Sequence, residues 1–324
     1  MYRIPNLFHA EDRARVAHAW VHWANRYRWL DPINELSRRL QHRRSQRFGQ
    51  RAAREVRSDG LAGVGAHGER AGSDVAAHST VLDVEVLITA FRYRDFLADA
   101  VSSAQTALTE LEAGGFRGGI VAVEDCGGDG SWELLCDLAQ TSPVPMRVLQ
   151  PARNIGLSAA RNLALFSSRS HSVFVLDADN QVYRSALLRL LPRMRSQRAA
   201  AAYGPLDVML PDGEVAPPLS DRAPDREWLM SRGNYIDAMA LFDTAILRSL
   251  GGWDTKMLEQ CWGMEDYELW VRLVRAGEKI AFEPEPTGRY LAKPDSMSRL
   301  NPRTWQRFHA YMREKHGPEF RVPV

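Results

Sequence analysis

Two aspartates one residue apart, Asp177 and Asp179, end the apolar run Val173–Leu176 in the stretch SVFVLDADN. A short run of branched and aromatic residues predicts a buried strand. A buried strand end does not carry two carboxylates unless something balances their charge. The partner that suits an Asp-x-Asp pair is a hard divalent cation shared with phosphate oxygens. A second acidic pair, Glu265-Asp266 in GMEDYELWVRLVRAG, opens a predicted helix with Leu269, Leu273 and Val274 on its apolar face. The helix dipole favours a carboxylate in the first turn as the anion, which keeps Asp266 ready to take a proton. Read alone, the pair could equally be ordinary N-terminal helix charge.

Three blocks upstream could form a pocket for a nucleotide. Phe91 follows the predicted strand Val84–Ala90, and Asp125 follows the predicted strand Gly118–Glu124. A base wants an aromatic face and an acceptor for its ring N–H, and these two residues would face one crevice. Asp125 reads as well as a turn or capping residue in EDCGGDGS. After a third strand, Met146–Gln150, comes Arg153-Asn154-x-Gly156-x-x-x-Ala160-Arg161-Asn162. Gly156 permits a tight strand-to-helix turn, and the helix start at Leu157–Ala160 offers N–H groups to an anion. Arg161 adds a cation near phosphates or base; the alternative for these arginines is a salt-bridged helix face.

The elements that must position these residues alternate from Val84 onward. Helical spacing over Asp95–Leu111 separates the first two strands, Ser131–Ala139 the next two, and Leu157–Phe166 precedes the strand ending at Asp177. Such alternation with short connections predicts an α/β fold, a mainly parallel sheet flanked by helices. Ligands of such sheets bind beyond the carboxyl ends of the strands, where every acidic feature above lies. GNYIDAMALFDTAILRSLGGWD then reads as a strand on the acceptor side and a helix ending at Gly251-Gly252.

Ahead of this unit the chain differs in character. Val16, Trp20, Trp23, Tyr27 and Leu30 line one face of a predicted helix over residues 11–30, Asp31-Pro32 starts another, and arginines from Arg38 to Arg57 follow. Residues 58–80 are rich in Gly, Ala and Ser and predict a flexible linker. The expected domains are therefore a basic helical extension (1–57), the linker (58–80) and a catalytic domain (81–324). The extension suits docking on its own catalytic domain, a homo-oligomer contact or an anionic membrane surface through residues 11–57. Nothing resembles a nucleic-acid reading module, and the net charge of the 324 residues is only +2. Cys126, Cys136 and Cys261 lack metal or disulfide spacing. With no signal-like opening and no apolar run near the roughly 20 residues of a membrane span, the expected location is cytoplasmic, or peripheral at the inner face of the membrane.

Taken in order, VEVLITAF, EDCGGDG, RNIGLSAARN, FVLDADN and the pair GGWD…GMEDYELWVRLVRAG resemble the family 2 glycosyltransferases of the GT-A fold. The resemblance spans Val84 to Ser298, roughly two thirds of the chain. It implies inverting transfer of a sugar from a nucleotide-diphosphate donor, a UDP-sugar favoured, to a glycan or small hydroxyl acceptor, with Mn²⁺ or Mg²⁺ as cofactor. By motif, Phe91 and Asp125 would hold the base, helped by Arg153, Asn154, Gly156 and Arg161. Asp177 would serve the ribose or the metal, Asp179 would bind the cation, and Asp266 would be the catalytic base. Glu265, Trp253 and Trp262 would lie on the acceptor side or behind it, although tryptophans in such turns often fill core. Where the family usually has Arg and His near the C-terminus, this chain has Leu291 and Lys293, and Lys293 would face the diphosphate. The Gln-x-x-Arg-Trp motif of processive synthases is absent from the sequence, which implies single addition. Two rivals remain: a nucleotidyltransferase on a similar sheet, which would not need Glu265-Asp266, and a non-catalytic nucleotide-sugar-binding scaffold.

Overall fold

The computed structural model describes residues 81–257, 263–293 and 302–322. The expected extension (1–57) and linker (58–80), and Trp262, lie outside the described residues.

Strand β1 (Leu82–Ala90) is an interior strand of a seven-stranded sheet. Helix α1 (Arg94–Ala113) returns the chain to β2 (Gly118–Glu124), and α2 (Ser131–Gln140) to β3 (Met146–Leu149). Helix α3 (Leu157–Ser167) then leads to β4 (Ser170–Asp177) on the other side of β1. These four strands are parallel. Val86, Ile88, Val121, Val123, Phe174 and Leu176 within them are buried by helices on both faces, which is why their sequences are continuous apolar runs rather than alternating ones. Register sets the site: Ala90 lies opposite Glu124, and Thr89 opposite Asp177. The acidic strand ends therefore share one edge of the sheet.

Beyond β4 the chain makes a short β5 (Gln181–Val182), helix α4 (Ala186–Gln197), β6 (Ala201–Tyr203), β7 (Leu206–Met209), β8 (Val215–Leu219) and helix α5 (Arg226–Ser231). The expected acceptor-side strand is only β9 (Leu241–Asp243), and it lies inside the main sheet, antiparallel to both β4 and β6. Its three residues run straight into α6 (Thr244–Ser249), with Asp243 accepting from the Ile246 N–H as the cap. Helix α7 (Glu265–Arg275) starts at the predicted acidic pair. Strand β10 (Ile280–Phe282) extends the main sheet beside β6, and β11 (Gly288–Leu291) joins β5, β7 and β8 in a second, four-stranded sheet that the sequence did not announce. Among the described residues no helix is long and apolar enough to cross a membrane.

Helix α8 (Pro302–His316) pins α7 in place. Glu268 of α7, wholly buried, accepts from Arg272, from Lys315 at 2.8 Å and from His316 at 3.2 Å. Lys315 and Tyr311 also hold Asp254, each at 2.5 Å. The segment between α6 and Asp254 is fixed from the other side by Asn162 of α3. Its amide donates to the Trp253 carbonyl at 2.7 Å and accepts from the Trp253 N–H at 2.8 Å. Gly252 makes that fit possible: its φ is +70°, and a Cβ there would strike the Asn162 side chain.

Gly252→Ala should therefore lower the unfolding free energy by about 1–3 kcal/mol from backbone strain alone. Urea denaturation checks this. Gly213→Ala, at a similar positive φ with open space around it, separates the strain from the clash.

Candidate active site

Asp125 occupies the turn after β2, with Arg153, half-buried, beside its partners in the loop that follows β3. Asp125 is 3% exposed and engages that loop. Its Oδ1 accepts from the Ile155 N–H at 2.7 Å, and its Oδ2 from the Gly156 N–H and the Asn154 amide, each at 2.8 Å. Burial raises its pKa to about 7 against the pull of the Ile155 and Gly156 N–H groups. Gly156, at φ +84°, is the turn into α3. Glu124, equally buried, accepts from the N–H groups of Cys126 and Gly127 and from Gln150, and so shapes the acidic turn. A Cβ on Gly127 would press on the Arg92 nitrogen. Phe91 is 39% exposed at the end of β1, with the Arg92 guanidinium 5.1 Å from its ring centre. It is the one exposed aromatic face among the predicted base-holding residues.

Arg161 projects inward from α3 and is 2% exposed. One arm of its guanidinium donates to Asp177 Oδ1 and the other to Glu265 Oε1, both at 2.6 Å. It therefore forms a salt-bridged helix face in buried form, joining the end of β4 to the start of α7. Burial opposes its charge, yet Asp177 and Glu265 outweigh that and leave its pKa raised. Trp253, 2% exposed, packs edge-on against Phe242, and its ring centre lies 5.9 Å from the Arg161 guanidinium carbon. Its ring fills core beneath the arginine.

Asp266 accepts from the Asn234 amide at 3.3 Å. Burial, then the like charges of Glu265 and Asp237, hold its carboxyl well above the usual carboxylate range. Asp237 is a site residue that the sequence reading missed. It accepts from the Met239 N–H at 2.9 Å, and burial followed by the field of Asp177 pushes it up to about 7. Asn234 was missed too; both lie on the irregular stretch before β9, where no periodicity marks them.

Asp179 completes the group. Its Oδ2 is 2.6 Å from the Lys293 ammonium, and burial followed by Asp177 raises its pKa while Lys293 pulls it down. Antiparallel pairing of β11 with β5 causes the meeting, since Arg289 pairs with Gln181 and the Leu291 N–H donates to Asn180 Oδ1. Among the described residues no group of three or more His, Cys, Asp or Glu side chains could enclose a metal. Two carboxylates one residue apart nonetheless fit a hard cation that takes its other ligands from phosphate and water. Arg161 engages Asp177 and Lys293 engages Asp179, and Asp177 and Asp179 are the residues that would hold such a cation.

The family model described as glycosyl transferase family 2 matches residues 85–251. Among solved structures, S. aureus TarS 1-349 has a TM-score of 0.54 at 14% identity, over 72% of this chain and 64% of that one. The same protein in complex with UDP-GlcNAc has a TM-score of 0.57 at 13% identity, over 73% and 67%. The structure of S. aureus TarS not limited to residues 1-349 has a TM-score of 0.54 at 13% identity, over 72% of this chain and 39% of that one. The match thus spans less than two thirds of the first of these structures, and at such identity the likeness is one of fold. No curated protein sequence matches the chain as a relative.

A guanidinium that bridges two carboxylates cannot be replaced by a single ammonium. Arg161→Lys should lower the melting temperature despite keeping the charge. Arg161→Ala, which leaves buried carboxylates unpaired, should cost about 3–5 kcal/mol in chemical denaturation.

Proposed function

The chain belongs to glycosyl transferase family 2, and from that premise we propose inverting, single-addition transfer from a nucleotide-diphosphate sugar to an acceptor hydroxyl. The observation that carries this reading is the Arg161 bridge. It ties Asp177, at the end of the sheet strand, to Glu265, so that Asp266 as the next residue belongs to the same charged group. A nucleotidyltransferase has no use for that second half. The solved structure of like fold that holds UDP-GlcNAc makes a UDP-sugar the donor class to test first. The acceptor is a glycan or a small hydroxyl compound.

In this reading Phe91 stacks on the base. Asp125 with Asn154, Gly156 and Arg153 forms the pocket edge around it, and Lys293 faces the diphosphate. Asp266 removes the proton from the acceptor hydroxyl as that oxygen bonds to the anomeric carbon. The bond from that carbon to the diphosphate oxygen breaks on the opposite face, which inverts the centre. Asp177 and Asp179 would hold Mn²⁺ or Mg²⁺, which supplies positive charge against the departing diphosphate. Asn234 orients the Asp266 carboxylate, and Arg161 keeps Asp177 and Glu265 in place from behind. Residues 81–324 form the catalytic unit, while residues 11–57 serve contact with a sister subunit or with the inner face of a membrane.

A thermal-shift series with UDP-, GDP- and dTDP-sugars and Mn²⁺, followed by transfer assays on the donor found, tests the reading. Binding without transfer to any acceptor in a broad panel would favour the scaffold. Asp266→Asn should bind donor nearly as the parent does and lose about 10²–10⁴-fold in turnover. The base works only ionised, and its pKa is raised, so kcat/KM should rise with pH well above the ordinary carboxylate range. Asp237→Asn removes a like charge, lowers the pKa of Asp266 and should move that rise to lower pH. A rise that stays in place in Asp266→Asn would remove Asp266 as the titrating base. Separately, Asp179→Ala should abolish the dependence of donor affinity on Mn²⁺; calorimetry with Mn²⁺ and with excess EDTA checks this.

A further inference from the structure

The ion pair between Lys293 and Asp179 is more elaborate than a surface contact. Both side chains are largely covered, 16% and 15% exposed, and the nitrogen-to-oxygen distance is 2.6 Å. The ammonium also lies 3.8 Å from the ring centre of Tyr93 and 4.7 Å from that of Phe96, at the start of α1. The two rings tilt toward one another with centres 6.1 Å apart. Ring faces attract a cation through their quadrupole. Lys293 is thus a cation seated between two rings and on the carboxylate that the proposed reaction needs for a metal.

A protonated amine has no lone pair to offer a metal, and two positive charges cannot both lie close against one carboxylate without repulsion. Lys293 and a divalent cation must therefore compete for Asp179. The competition ends only when more negative charge arrives. A nucleoside diphosphate brings it, and the flexible four-carbon stem of lysine lets the ammonium turn from Asp179 to a phosphate oxygen. We propose that Lys293 is a built-in counter-cation for Asp179 that keeps the divalent cation out of the donor-free protein, so that metal enters together with the donor's diphosphate. This rests on the reading of Asp179 as a metal ligand. By linkage, metal and diphosphate must then strengthen each other's binding by the same factor.

The test measures Mn²⁺ binding to the full chain by electron paramagnetic resonance of the free ion, without nucleotide and with UDP, GDP or dTDP. Lys293→Met should bind Mn²⁺ alone at least tenfold more tightly than the parent, and adding Asp179→Asn should erase that gain. Tyr93→Leu, which keeps the ammonium but removes part of its seat, should give a smaller gain in the same direction. It also keeps the proposal open to refutation if Lys293→Met does not fold. Equal affinity of parent, Lys293→Met and Tyr93→Leu for Mn²⁺ alone would overturn the proposal. If Mn²⁺ is still bound with nucleotide in a way that needs Asp179, the metal reading survives that result. If none of the proteins binds Mn²⁺ alone or with any nucleotide, the metal reading fails and takes this proposal with it.

Discussion

The structure depends on one buried guanidinium. Asp177, Asp179, Asp237, Glu265 and Asp266 come from three separated parts of the sequence and act on one another through their charges. So many carboxylates in a half-buried cleft repel one another and resist losing water, and without a cation the cleft would open or take up protons. Arg161 supplies a charge that cannot be discharged at any ordinary pH. Its forked geometry lets it serve Asp177 and Glu265 at once. A lone buried ion pair is often no better for stability than an apolar pair. Here the bridge has another consequence: it fixes the distance between the end of β4 and the start of α7, the two points where chemistry would take place.

Much of the cleft is organised from a single helix and the turn before it. Asn154 and Gly156 bind Asp125, Arg161 binds the carboxylates, and Asn162 binds the backbone of Trp253. The block RNIGLSAARN therefore contacts the ends of β2 and β4, the turn after α6, and α7. Its residues look outward in sequence terms, as arginines and asparagines on a helix, yet they point into the molecule because polar partners await them there. Polar groups buried in this manner tolerate little displacement, since each lost partner leaves a donor or acceptor without water.

This explains what could be read from the sequence and what could not. The parallel sheet and its helices were legible because buried parallel strands are continuous apolar runs bounded by turn residues, as in Gly118–Glu124. The acids at the strand ends were legible for a related reason, since carboxylates next to such runs have few innocuous roles. The partners of those acids were hidden. Arg161 meets Glu265 across 104 positions, and no local pattern encodes that contact. Asp237 and Asn234 lie on irregular backbone, where neither a period of two nor one of 3.6 applies. Trp253 could be weighed both ways, and in the fold it is buried against Phe242. The second sheet escaped because β5, β7 and β11 have two to four residues each, too few to display alternation.

The antiparallel strand β9 has a consequence for synthesis of the chain. Strands β1 to β4 are contributed by residues 82–177 and can pair among themselves as soon as they have emerged. Strand β4 then presents an apolar edge, with Val173 and Phe174 at positions later taken by Phe242 and Leu241. Those partners lie more than 60 residues downstream, which at about 5–20 residues per second leaves the edge open for seconds on the ribosome. An unpaired apolar edge is a template for other strands. The nascent chain thus passes through a vulnerable interval that ends only when a three-residue strand slots between β4 and β6, and that same closure brings Asp237, four residues ahead of β9, up to the cleft.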